Sequence, residues 1–389
     1  MEKALYEQVF IYMESKKNEM ISVLESVVNI ESFMDDPSGV AKVANKFKKL
    51  FEAEGFQCEL AETPPNGPTL IGILGEERQA KPILFSGHMD TVVKPGAYPS
   101  PVFRIENGNA YGPGVLDMKG GIVIALYVAK ALNSIGYTKR PLKIVFSGDE
   151  ESGHSGSNGA QIMEQAASGA VCAFNMETGL VDNSLCYGRK GRVEAQVTVN
   201  GVESHAGNDF LGGVNAIAEM AHKIIGIQDL TDLERGTTVT CAKIEGGTVS
   251  NAIPKQCVMN VECRFETEQE MERFKASLET ICTASYITGT TTDIRYTDNF
   301  PPFESSEQVM HLWTFIKTTA KECGLEEVLG KKLGGASDAA YIQKSGTPVI
   351  CSIGIQGQWN HTTREYAVLD SLVSRGKLVS AAILNLENL

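Results

Sequence analysis

With 389 residues, 42% of them apolar and 21% charged, the chain has the composition of a globular protein too long for one simple core, so two domains are expected. A net charge of −13 argues against nucleic acid or an anionic membrane as the main partner, and no apolar run approaches membrane-spanning length. Nine cysteines with no C-x-x-C pair, and a charged N-terminal stretch without a signal peptide's apolar core, point to reduced thiols in a cytoplasmic protein.

Leu5, Val9, Tyr12, Met13, Ile21, Leu24, Val27 and Val28 recur at helical spacing and predict an amphipathic helix over 3–29. After Pro37-Ser38-Gly39 a second helix runs from about 40 to 54 and stops at Gly55. Strands are predicted at 56–60, 69–74 and 82–86, then a glycine-rich turn (108–121) opens a helix over 119–134. Pro141 introduces a strand at 142–148, and another covers 170–177. Strands alternating with helices predict an α/β layer with a mainly parallel mixed sheet flanked by helices.

The pattern then changes. A strand (192–199), a helix (213–226), two strands (237–245 and 256–265), a helix (268–284) and a strand (290–296) give βαββαβ, a ferredoxin-like α+β unit. A helix (306–323), a strand (347–352) and a final helix (368–387) resume the first pattern. The expected organisation is a catalytic domain in two parts, 1–184 and 298–389, interrupted by a lid or dimerisation domain over 185–297.

Residues able to do chemistry gather at predicted strand ends. His88 follows the apolar run 83–85, and Asp90 is near enough to take its second ring N–H and set the tautomer. Asp117 lies where the Gly112-Pro113-Gly114 turn meets a helix N-terminus, whose partial positive charge favours an ionised carboxylate. A dinucleotide loop is the competing reading, but Asp117 occupies the third glycine position and would repel pyrophosphate. Glu150 and Glu151 end the strand 142–148, and neighbours on extended backbone point to opposite sides, so one can ligate a metal while the other acts as a base. The following Ser/Gly stretch, 152–159, lacks the Gly-Lys-Ser/Thr ending of a phosphate loop, and His154 within it reads as a surface residue. Glu177 closes another strand, and His361 lies in a late loop. His88, Asp117, Glu151, Glu177 and His361 together form a nitrogen-and-oxygen ligand set suited to zinc, and also to cobalt or manganese. His222 and His311 fall on predicted helices without a motif and read as structural.

The segments SGHMDTV, GPGVLDMKGG, DEESG, METG, SHAG, GGASDAAY and WNHT resemble the co-catalytic zinc peptidase and aminoacylase family across nearly the whole chain, nearest its glutamate carboxypeptidase branch. The resemblance implies two metal ions bridged by Asp117, with His88 and Glu177 completing one site and Glu151 and His361 the other. It makes Glu150 the general base and Asp90 the partner of His88. It also implies a homodimer in which His205 reaches the partner subunit's active site and stabilises the oxyanion. Asn251 and Arg264 match substrate-binding positions, with Arg264 holding a free carboxylate, while Gly335, Ser337 and Asp338 line the substrate side. The implied activity is hydrolysis of the amide bond in a peptide or N-acyl amino acid with a free carboxylate. A biosynthetic deacylase (a desuccinylase or deacetylase) and a non-catalytic binding member are the alternatives.

Overall fold

The computed structural model describes residues 2–388. The chain forms two compact units, one of Met1–Gly188, Ser305–Lys332 and Ser337–Leu389, the other of Arg189–Glu304 with Leu333–Ala336.

The first unit is built on a six-stranded sheet in the order 57–61, 67–74, 142–148, 83–88, 172–175, 349–350. The first three strands are joined antiparallel and the last four parallel, a mixed sheet of the α/β class. Ile83–His88 is buried along its whole length, as a central parallel strand covered on both faces must be. Helices Glu2–Val28, Lys119–Ser134 and Asp370–Leu384 share one apolar core with this sheet. Pro37–Glu52 begins where the Asp36 side chain accepts the Ser38 N–H, with proline at its first position, and Phe51 packs on Phe146 of the sheet at 5.7 Å between rings.

The sequence did not predict a second sheet in this unit, in the order 104–106, 109–111, 366–368, 356–358, 179–180. Its strands have two or three residues each, too few for an alternation to register. The predicted strands at 170–177 and 347–352 shrink to Cys172–Asn175 and Val349–Ile350, because their flanking residues turn away to carry loops.

The second unit is a four-stranded antiparallel sheet, 238–246, 256–265, 191–200, 291–300, with helices Ala216–Gln228 and Glu268–Thr283. In Gly191–Asn200 every second residue is buried, and Val193, Val197 and Val199 meet Met220, Phe274 and Leu278 of the helices. The first helix starts at Ala216 rather than 213, since the Asn215 side chain caps it by accepting the Ala218 N–H. Among the described residues no helix is long and apolar enough to cross a membrane.

Candidate metal centre and active site

Three adjacent parallel strands of the first unit end at the same edge. Ile83–His88 ends in His88 itself, Leu142–Gly148 leads into Glu150 and Glu151, and Cys172–Asn175 leads into Glu177. This carboxyl-end edge is where open α/β sheets place their sites. Asp117 reaches it from the turn before Lys119–Ser134, and His361 from the loop between Gln356–Gln358 and Tyr366–Val368.

These residues meet as two triads that share Asp117, namely His88, Asp117, Glu177 and Asp117, Glu151, His361. His88 Nε2 lies 3.1 Å from Asp117 Oδ1 and 3.3 Å from Glu177 Oε1. His361 Nε2 lies 3.2 Å from Asp117 Oδ2 and 3.3 Å from Glu151 Oε2. Each oxygen of Asp117 therefore faces a different imidazole. Asp90 sits behind His88, its Oδ1 3.3 Å from Nδ1, and its Oδ2 accepts the Glu151 N–H at 2.9 Å. One carboxylate thus contacts a residue of each triad, as an outer partner of a metal site would.

The donor set fits a pair of divalent cations. The triads supply three carboxylates and two imidazoles with no thiolate, and Glu151 Oε1 is buried without a hydrogen-bond partner. In the metal-free chain the electrostatics are those of crowded acids. Burial, opposed by His88 and reinforced by Asp338, Glu177 and Glu151, pushes the Glu150 carboxyl well above the usual range. Burial and the Asp117 charge push Glu151 up to about 7. For Asp117 burial works the other way from its neighbours, and hydrogen bonds from His361 and His88 hold it well below the usual range.

Three residues around this centre were given no part in it by the sequence. Glu365, 2% exposed, accepts the N–H groups of Leu116 (2.8 Å), Asp117 (3.0 Å) and Gly114 (3.4 Å), so it pins the turn that presents Asp117. Asn360 donates from Nδ2 to Asp117 Oδ2 at 2.9 Å. His154 corrects the surface reading made from its Ser/Gly context. It is 5% exposed and lies between Asp149 (2.8 Å) and Asp338 (2.7 Å), because the turn after the strand folds inward onto those carboxylates. Glycine and serine gave that turn its tightness without telling which way it faced.

The remaining candidates are placed as follows. Ser337 and Asp338 are buried in the first unit, where the Ser337 hydroxyl accepts the Ala339 N–H at 3.2 Å. His205, Asn251, Arg264 and Gly335 belong to the second unit. His205 is exposed beside Ala252 in a short antiparallel pair, and its Nδ1 accepts the N–H groups of Gly207 (3.1 Å) and Asn208 (3.0 Å). That leaves the proton on Nε2, directed outward as a donor. Asn251 is exposed, and its carbonyl accepts the Ala206 N–H. Arg264 donates Nε to Glu262 at 2.6 Å and Nη1 to the Gly334 carbonyl at 3.4 Å. The Gly335 carbonyl accepts from Arg189 at 3.2 Å. His222 stacks on Tyr286 at 4.8 Å, and His311 is exposed on the helix Glu307–Glu322.

An α/β domain with a two-cation ligand set at its strand ends has the layout of a metal-dependent hydrolase. The chain belongs to peptidase family M20/M25/M40, which it matches over residues 84–385. It is 29% identical over 372 residues to carboxypeptidase G2 of Pseudomonas sp. (strain RS-16), covering 94% of this chain and 89% of that protein. Among solved structures it resembles aminopeptidase PepT of Bacillus cereus ATCC 10987 with a TM-score of 0.80 at 21% identity, covering 95% of this chain and 99% of that one. It also resembles the Bacillus subtilis YXEP protein, described as a dinuclear metal binding peptidase of the M20 family, with a TM-score of 0.71 at 14% identity over 96% of this chain and 99% of that one. The protein is a peptidase-family hydrolase.

Proposed function

We propose that the protein is a dinuclear metal-dependent hydrolase of carboxypeptidase type, cleaving the amide bond of a peptide or N-acyl amino acid that bears a free carboxylate. The observation that carries this reading is the shared Asp117, with one oxygen toward His88 and the other toward His361. His88 and Glu177 would hold one cation with Asp117, and Glu151 and His361 the other. Zinc suits the set best, and cobalt or manganese fits the same donors. The pair of cations supplies Lewis-acid polarisation of the scissile carbonyl and a nucleophilic water at neutral pH.

The chain's own residues do the rest. Glu150, with a carboxyl pushed up by burial and surrounding acids, is suited to take a proton from the attacking water and return it to the leaving amine. His205, with Nε2 protonated, is a donor fit for the developing oxyanion, contributed across a homodimer of the second units. Ile225 (64% exposed) and Ile244 (50%) are apolar side chains of that unit open to such an interface. Arg264 and Asn251 would receive the substrate's free carboxylate, a planar target for a guanidinium, and Gly335 and Ser337 would line the substrate side. The carboxypeptidase reading leans on the relative named carboxypeptidase G2, and the free cysteines favour a reducing, cytoplasmic location.

The test is metal content together with turnover of a panel of dipeptides, N-acetyl and N-succinyl amino acids, and an aroyl-glutamate. Two metals per chain and chelator-sensitive release of a C-terminal amino acid are expected. Release from the N-succinyl or N-acetyl substrates alone would move the protein to the deacylases. Glu150→Gln should lose about 10²–10⁴-fold in kcat while keeping its metals.

A further inference from the structure

The turn that carries Glu150 and Glu151 is closed from beneath by a buried charged array with no place in the chemistry described above. His154 stands at its centre. Nδ1 faces Asp149 Oδ1 at 2.8 Å and Nε2 faces Asp338 Oδ1 at 2.7 Å, so both ring nitrogens are protonated and the imidazolium joins two carboxylates. The other oxygens are engaged as well. Asp338 Oδ2 accepts the Ser147 hydroxyl at 2.9 Å, and Asp149 Oδ2 accepts from Ser157 and, at 3.3 Å, from Asn66. Within the turn, the His154 N–H reaches the Asp149 carbonyl at 3.0 Å and the Gly153 N–H the Glu150 carbonyl at 2.7 Å. Tyr341 meets the imidazole edge-on, with ring centroids 5.3 Å apart.

Two features show that the array is built into the fold. At Gly159 a Cβ would come within 2.5 Å of Asp149 Oδ1 and 2.6 Å of His154 Nδ1, so the helix Gly159–Ala167 starts with the one residue that leaves room. Asp338 lies 184 residues further along the chain, at the start of the short helix Ala339–Lys344, and is 1% exposed. The array therefore ties the strand end at Ser147, the glutamate turn and a distant part of the unit into one rigid piece. His154 also sets a positive charge against Asp338, whose own charge pushes the Glu150 carboxyl up.

We infer that His154 is a positioning residue for the amide hydrolysis: by bridging Asp149 and Asp338 it fixes the turn 149–154 so that the Glu150 carboxylate is held where it meets the attacking water. The inference rests on Glu150 being the general base. Loss of the bridge lets the turn shift and leaves the Asp338 charge to act on Glu150 without its partner cation, and a displacement of about 1 Å at a reacting group is enough to cost about 10²-fold in rate.

The experiment is a double-mutant cycle with the full chain. Wild type, His154→Gln, Glu150→Gln and the double variant are compared for kcat, KM, metal per chain and thermal midpoint on whichever panel substrate the wild type cleaves. His154→Gln should lower kcat by about 10–10²-fold with KM and metal content unchanged, and should add nothing further in the Glu150→Gln background. A wild-type kcat in His154→Gln overturns the inference, as does a loss that multiplies with that of Glu150→Gln or that tracks lost metal. If Glu150→Gln itself turns over like the wild type, the base assignment has failed instead. Should His154→Gln not fold, Ser147→Ala removes a single hydrogen bond from the same array. It should lower kcat alone by a smaller factor, and an unchanged kcat there also overturns the inference.

Discussion

Each unit of the chain buries a charged cluster, and the two are built on opposite principles. In the second unit Lys223 and Glu219, both fully buried, pair at 2.9 Å one helical turn apart. Lys223 also donates to the carbonyls of Ile281, Cys282 and Ala284, and Glu219 accepts the N–H groups of Tyr286 and Ile287. One cation meets one anion, and the backbone fills the remaining bonds. In the first unit, Asp117, Glu150, Glu151 and Glu177 crowd around two imidazoles, and a buried oxygen of Glu151 has no partner. Burying charge is costly unless it is paired. The second cluster meets that cost within itself and is a structural device, whereas the first does so only when something positive is added. A surplus of buried acid, rather than burial of acid as such, marks the first cluster as the candidate metal site.

The largest effect expected from breaking this contrast is at Asp117, the one residue common to both triads. Asp117→Asn removes the charge that would bridge the cations but keeps the shape. Turnover should vanish and bound metal should fall below one per chain by elemental analysis, while Lys223→Met should leave both untouched. An Asp117→Asn chain that keeps two metals would show that the triads are not the centre. Lys223→Met should instead destabilise the fold by about 3–5 kcal/mol, since Glu219 is left buried without its cation. Replacing both Lys223 and Glu219 with apolar residues of similar size should recover most of that loss in chemical denaturation, as a self-contained ion pair predicts. If the double variant is as unstable as the single, the backbone bonds matter more than the pair.

A smaller effect is expected one step out from the two triads. Glu365→Gln puts amide hydrogens against the N–H groups of Gly114, Leu116 and Asp117, two sets of donors with one acceptor between them. Metal affinity should weaken about 10–100-fold, the usual cost of losing an outer partner, and competition with a chelator measures it. Unchanged affinity would mean that the Asp117 turn holds its own shape.

What the sequence made legible follows from how local each signal is. His88, Glu150, Glu151 and Glu177 sit at the ends of apolar runs, so a strand boundary read from a few residues located them at the sheet edge. The strand pattern in Gly191–Asn200 and the glycine-rich turn opening the apolar run Lys119–Ser134 were equally local, and those elements were found within a residue or so of their ends. Glu365 and His154 were not legible, because what defines each is a partner far away in the chain, 249 residues off for Leu116 and 184 for Asp338. A glutamate and a histidine in polar loops look the same whether solvent or a buried carboxylate awaits them.

The clusters should also diverge in pH dependence, where no residue is replaced. Hydrogen bonds from Lys223 and from backbone N–H groups outweigh burial and hold the Glu219 carboxyl below its ordinary 4.5. A depressed acid contributes stability that is present above its unfolded pKa and lost as pH falls through its folded value, so this pair should stabilise the second unit less in acid. In the metal-free first unit, Asp117 and then Glu151 raise His361 from 6.5 to about 11. A raised imidazole contributes stability that is full below 6.5 and lost as pH rises through about 11, so the metal-free cluster is held together at neutral pH by a proton. A cation entering there must displace that proton. Metal affinity should therefore climb with pH, by about tenfold per unit for each proton released, between about pH 6 and about pH 8. Chelator competition across that window, paired with calorimetry in buffers of different ionisation heat, counts the protons directly. A flat affinity would mean that His361 enters the site already neutral, and that the acids are balanced by something other than the imidazole protons.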